Sequence, residues 1–200
     1  MPVYELSGAG SLKTGRTLYT SMNAGNQYGA MVPIASVTLS SFANFNFTNI
    51  PQTYQDLRIV IYSNTQTAGA LADNMVMWLN NDFATTKYST TWLRGDGSSA
   101  SSSRLTSSAG SVGQVGTRPA FATNLYGVIA IDILNYANTS TFKTFLSRAA
   151  SDSNGSGRTE LFAGLFQSTA GISQIDFGGT GNYPGAGTTA TLYGIRAVSS

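Results

Sequence analysis

At 200 residues and 21.0 kDa, the chain has room for one domain with a sizeable core, or for one domain plus an arm. Apolar residues make up 42% and aromatics 11%, but charged residues only 10%, against roughly 25% in an average soluble domain. Histidine and cysteine are absent, which excludes a disulfide scaffold, a Cys/His zinc site, a cysteine nucleophile and a Ser-His-Asp relay. The net charge is +2 and the basic residues are scattered, without the run or stripe that marks a nucleic-acid binder. A surface solvated by hydroxyls and amides has little long-range repulsion and suits packing against copies of itself.

Residues 1–34 are rich in Gly, Thr and Asn, with spaced apolar residues Tyr4, Leu6, Leu12, Leu18, Tyr19 and Tyr28. They are too irregular for a core of their own and read either as an extended arm lying on another chain or as a disordered tail. The N-terminus lacks the basic region and apolar core of a signal peptide. Apolar runs such as 127–131 stop far short of the roughly 20 residues that span a bilayer. Production in a cytoplasm, without membrane insertion, is the expectation.

Residues 35–200 read as one β domain. Strands are expected at 37–39 and 42–47, with at most one helical turn near 53–56, after Pro51. In Leu57-Arg58-Ile59-Val60-Ile61-Tyr62, Leu57, Ile59 and Ile61 share one face, and the β-branched residues favour a strand. Residues 75–79 are apolar on both faces and so central. Asn80-Asn81-Asp82 is a turn signal, and 88–93 is the expected antiparallel partner. The low-complexity stretch 98–116 reads as a long exposed loop. Residues 125–134 alternate best, with Gly127 a bulge or close-approach point. Further strands fall at 142–146, 159–166, 172–177 and 188–198. Nine or so short strands with Gly/Ser/Asn-rich turns predict an antiparallel β-sandwich or jelly roll behind an extended N-terminal arm.

Several constellations invite a chemical reading. Arg94-Gly95-Asp96 is an integrin-recognition tripeptide, but Gly-Asp-Gly is also turn chemistry. Asp73 and Asp82 flank the 75–79 strand, and Asp96, Asp152 and Asp176 fall in or beside turns; no motif makes a glycosidase pair or a calcium loop of them. Neither Gly8-Ala9-Gly10 nor the Gly110, Gly113, Gly116 series has the pattern of a phosphate loop. No cofactor is expected. Trp78, inside an apolar run, reads as core. Trp92, beside Thr91 and Arg94, reads as the better surface aromatic, and with Tyr88 it would form a sugar-stacking platform.

The order of certain pieces carries a resemblance. Ile50-Pro51-Gln52-Thr53-Tyr54-Gln55-Asp56-Leu57 runs into a strand, followed by Leu79-Asn80-Asn81-Asp82 and Tyr88-Ser89. Asp132-Ile133-Leu134-Asn135-Tyr136-Ala137-Asn138 and Phe142-Lys143-Thr144 come next, and Leu192-Tyr193-Gly194-Ile195-Arg196 closes the series. From about 36 to 198 this resembles a family of virion structural domains of tailed bacteriophages, in which an "IPQTYxxL" segment opens the domain and "LYGI" ends it.

The resemblance implies a non-enzymatic β-sandwich building block, most simply a homo-oligomer such as a trimer, associated with the tail, baseplate or fibre and facing the host. Its partners would be copies of itself, other virion proteins and a host surface glycan, and its location the virion, assembled in the host cytoplasm. A head decoration protein and a carbohydrate-binding module using Tyr88 and Trp92 are the alternatives. Within the matched pieces, Pro51 would lead the chain into a turn that Tyr54 and Leu57 pack onto the sheet. Asn81-Asp82 would form a hairpin tip, and Gly194 would admit a bulky side chain from the facing sheet.

Overall fold

The computed structural model describes residues 30–65, 72–117, 126–152, 155–179 and 183–196. The expected arm residues Tyr4, Leu6, Leu12, Leu18, Tyr19 and Tyr28 lie outside the described residues. The chain is all-β, and its strands form two packed sheets. They are β1 (Met31–Thr38), β2 (Phe45–Phe47), β3 (Asp56–Thr65), β4 (Ala72–Leu79), β5 (Tyr88–Gly95), β6 (Ala100–Thr106), β7 (Gly110–Thr117), β8 (Gly127–Ile133), β9 (Lys143–Ser151), β10 (Arg158–Phe166), β11 (Ile175–Gly179) and β12 (Thr189–Ile195). The only helical turn among the described residues is a 3-10 turn at Thr85–Lys87, and 53–56 forms none.

The large sheet runs β1-β12-β3-β8-β9-β10-β5-β6, antiparallel throughout. The small sheet runs β2-β11-β4-β7, also antiparallel. At its far end β3 leaves the large sheet and pairs in parallel with β7 through Asn64 and Thr65, which ties the two layers together.

Alternation puts Leu57, Ile59 and Ile61 of β3 and Ile129, Ile131 and Ile133 of β8 on the inner face, all fully buried. Phe145 of β9, Phe166 of β10 and Leu192 of β12 extend that face. From the small sheet, Met75, Met77 and Leu79 of β4, Phe177 and Ile175 of β11 and Val112 of β7 meet it in one core. Stacked rings of Phe45 and Phe177, with centroids 5.0 Å apart, fill the β2 edge. As expected, 75–79 is central: β4 lies between β11 and β7.

Three readings of the sequence are corrected. Residues 31–34, assigned to the arm, open β1, which pairs with β12 from Met31 onward, so the β domain begins before residue 35. The stretch 98–116 contains two strands instead of one loop. β6 is an edge strand exposed at every position, so serine suffices there and no apolar alternation betrays it. β7 presses on the large sheet at Gly113, where a Cβ would lie 2.3 Å from that of Ala149. Finally, β4 and β5 are not partners. Asn80 and Asn81, both at φ 56°, make a tight turn closed by the Leu79–Asp82 bridge. The chain then crosses over, and β5 joins β10 and β6 in the large sheet.

Candidate functional site

The pieces that carry the family resemblance converge on one end of the sandwich. The Tyr136 hydroxyl donates to the Pro51 carbonyl, and Gln52 Nε2 donates to the carbonyls of Ile50 and Ile172 at 2.9 and 2.8 Å. Asn80 Nδ2 donates to the Gly171 carbonyl at 2.9 Å, while its Oδ1 accepts from the Ser173 amide at 2.8 Å. Asp56 accepts from the Asn135 amide at 2.7 Å. Lys143 is buried in this knot, its ammonium donating to the carbonyls of Asn138, Thr141 and Thr169, and burial pulls its pKa down. Tyr54 lies over Gly194, where a Cβ would come within 2.3 Å of its ring; the bulky group comes from the loop before β3 and not from the facing sheet. These residues hold loops together, and their polar groups are spent on one another.

The carboxylates are likewise engaged. Glu160, buried on β10, accepts from Arg94 Nε at 2.7 Å and from the Gln114 amide at 2.8 Å. Asp96 caps the β5–β6 turn by accepting from the amides of Ser98 and Ser99, first among the bonds that hold its carboxyl well below the ordinary range. Asp82 is lowered chiefly by its bond from Lys87. Asp152 accepts from the Gly155 amide at 2.8 Å. Arg94 and Asp96 of the integrin-like tripeptide therefore serve the fold: one pairs with a buried glutamate and the other closes a turn. The Asp73 side chain lies outside the described residues.

The two residues expected to stack on sugar do not form a platform. Tyr88 is only 1% exposed and stacks on Phe166 with centroids 4.7 Å apart. Its hydroxyl accepts from the Leu79 amide at 3.0 Å and donates to the Asp82 carbonyl at 2.8 Å. Burial pushes its pKa up to about 12. Trp92 is half-buried, and the Arg94 guanidinium covers one face of its indole, 4.6 Å from the centroid. Trp78, expected in the core, instead lies half-buried on the outer face of the small sheet beside Phe83.

The surface that sequence reasoning missed is the outer face of the large sheet. Register places Tyr62, Val128, Ala150 and Thr159 in one row across β3, β8, β9 and β10. Val60, Ala130, Arg148, Leu161 and Leu93 form the next, reaching β5. Arg58, Asp132, Leu146, Ala163 and Thr91 form the third. Leu93 is 55% exposed, Val128 47%, Leu161 43% and Leu146 42%.

At about 4.8 Å between strands and about 6.8 Å between same-face residues, these rows cover roughly 500 Å², of which the apolar positions make up about 300 Å². That is the size of the largest apolar patch on an ordinary soluble monomer, about 300–600 Å², and such patches are often functional. Arg58 forks onto Asp132 at 2.6 and 2.9 Å, and Arg148 shares the same carboxylate at 3.8 Å, so the three charges sum to +1. The signal was present in the sequence, since Val60, Tyr62 and Val128 are apolar at the parity opposite to the core residues. Set beside known proteins, the chain matches no family model, no curated protein and no solved structure.

Proposed function

We propose that this chain is a non-enzymatic structural component of a tailed-phage virion, working as a homo-oligomer, in the simplest case a trimer, on the tail, baseplate or fibre. The observation that carries the reading is the apolar outer face of the large sheet. Its apolar and polar positions together cover roughly 500 Å², the larger part of the ~800 Å² per partner of a standard interface. Arg58 is neutralised by its fork onto Asp132, and Arg148, 60% exposed at the same carboxylate, leaves one net positive charge that a second copy would have to keep at the solvated rim. Carboxylates committed to turns, ion pairs and a buried amide support a structural role over hydrolysis. The ordered motifs from Ile50 to Arg196 supply the link to virion domains, and their convergence into one loop knot fits a building block.

Immunogold electron microscopy of purified particles, with antibody against this chain, tests the reading. Label at the tail is the expected result. Label over the head makes the chain a decoration protein bound to the capsid lattice, and particles without label overturn the virion assignment.

A further inference from the structure

On the outer face of the small sheet, we propose that a shallow groove between β2, β11 and β4 binds one neutral hexopyranose ring, stacked on Trp78 and hydrogen-bonded by Asp176. The groove, about 170 Å³, is lined by Asn44, Asn46, Trp78, Phe83 and Asp176. Register puts Asn46, Asp176 and Trp78 side by side in one row across the three strands. The indole packs down onto the sheet over Gly178, where a Cβ would sit 3.2 Å from its ring. Phe83, 53% exposed, stands edge-on to it with centroids 5.5 Å apart, walling one side.

Asp176 is positioned before any ligand arrives. Its Oδ1 accepts from Gln174 Nε2 at 2.8 Å and from Asn46 Nδ2 at 3.3 Å. Its Oδ2 takes a bond from Gln174 at 3.1 Å. A carboxylate offers about four acceptor sites, so one that receives three bonds retains capacity for a sugar hydroxyl. A half-buried indole packed on the sheet, beside a fixed carboxylate and two asparagine side chains, matches what a pyranose ring presents: an apolar C–H face and a rim of hydroxyls. The volume is well below the ~300–1,000 Å³ of a drug-sized pocket, which fits a single ring at the end of a glycan with the rest in solvent. The carboxylate selects against uronic and sialic acids by like-charge repulsion. This site is independent of the assembly face, which belongs to the other sheet.

The chain has two tryptophans, so its indole N–H resonances can be assigned with single variants. The full chain is titrated with methyl α-D-glucopyranoside, methyl α-D-mannopyranoside and methyl β-D-galactopyranoside, with methyl β-D-glucuronide as the acidic control. The expected result is a saturable shift of the Trp78 signal with at least one neutral glycoside and weaker binding of the glucuronide. Asp176→Asn should weaken that binding roughly tenfold, the loss expected for a hydrogen bond to a charged group. Phe83→Ala, at an exposed position, should weaken it while the fold stays intact, which keeps the test informative if Trp78→Ala does not fold. A Trp78 signal unmoved by all three glycosides overturns the proposal. So does a shift confined to Trp92, or binding that Asp176→Asn leaves unchanged.

Discussion

Single residues in this sandwich are constrained by what touches them more than by their type. Gly164 of β10 faces inward, where a Cβ would lie 1.9 Å from the Phe145 ring. Gly164→Ala should therefore cost about 1–3 kcal/mol through overpacking. Phe145→Leu in the same chain should return part of that loss, because the two sites share one volume. Urea unfolding of the two single variants and the double variant measures the coupling. Tyr88 supplies a second test. Its raised pKa means the folded protein holds the proton more tightly than the unfolded chain. Its contribution is thus fully present below pH 10 and fades as the pH rises towards about 12. Tyr136 is shifted in the same direction by burial and shares this alkaline limb. Tyr88→Phe should flatten the fall in stability over that window. It should also cost about 1–3 kcal/mol at neutral pH, because the Leu79 amide and the Asp82 carbonyl lose their partner. Melting curves from pH 7 to 12 separate the two effects.

At the scale of elements, strands with alternating apolar residues against the core were legible. β9, which buries Lys143, Ser147 and Ser151 on that face, was legible only to 146, and β6 and β7 were not legible as strands. β3, β8 and β10 place alternate apolar residues against the core, and the sequence predicts each within a residue or two at most ends. β6 has no buried position, and β7 packs through glycines, so neither carries the period-2 signal that periodicity detects. The β4–β5 pairing failed for a different reason. A turn signal such as Asn80-Asn81 reports a local reversal, whereas the partner of the next strand is set by which sheet has an open edge. Lys143 shows how loops are fixed. Loop 134–142 and the segment after β10 are both tied to its ammonium, which meets three carbonyls. Lys143→Met keeps the buried stem but strands those carbonyls. It should lower stability by about 2–4 kcal/mol with an unchanged denaturant slope. An unaltered urea midpoint would show that the loops close without it.

For the whole molecule, the low charge content bears on the proposed contact between copies. A chain with 10% charged residues cannot keep its sheet faces apart by repulsion, and the outer face of the large sheet offers apolar rows to a neighbour. Composition alone suggests a surface suited to self-association. Locating the apolar face required the register, because only cross-strand alignment shows that Val60, Leu161 and Leu93 share a row. Leu161 sits near the middle of that patch and points away from the core. Leu161→Arg should therefore leave the fold and melting temperature nearly unchanged while placing a charge in the centre of the contact. By light scattering at micromolar concentration, the parent chain should have a mass that is a multiple of 21.0 kDa, and three times that value for a trimer. The variant should fall to the mass of one chain. A parent that is already monomeric at high concentration would overturn self-contact through this face. A variant that stays oligomeric would move the self-contact elsewhere, and residues 1–29, before β1, would be the next segment to delete.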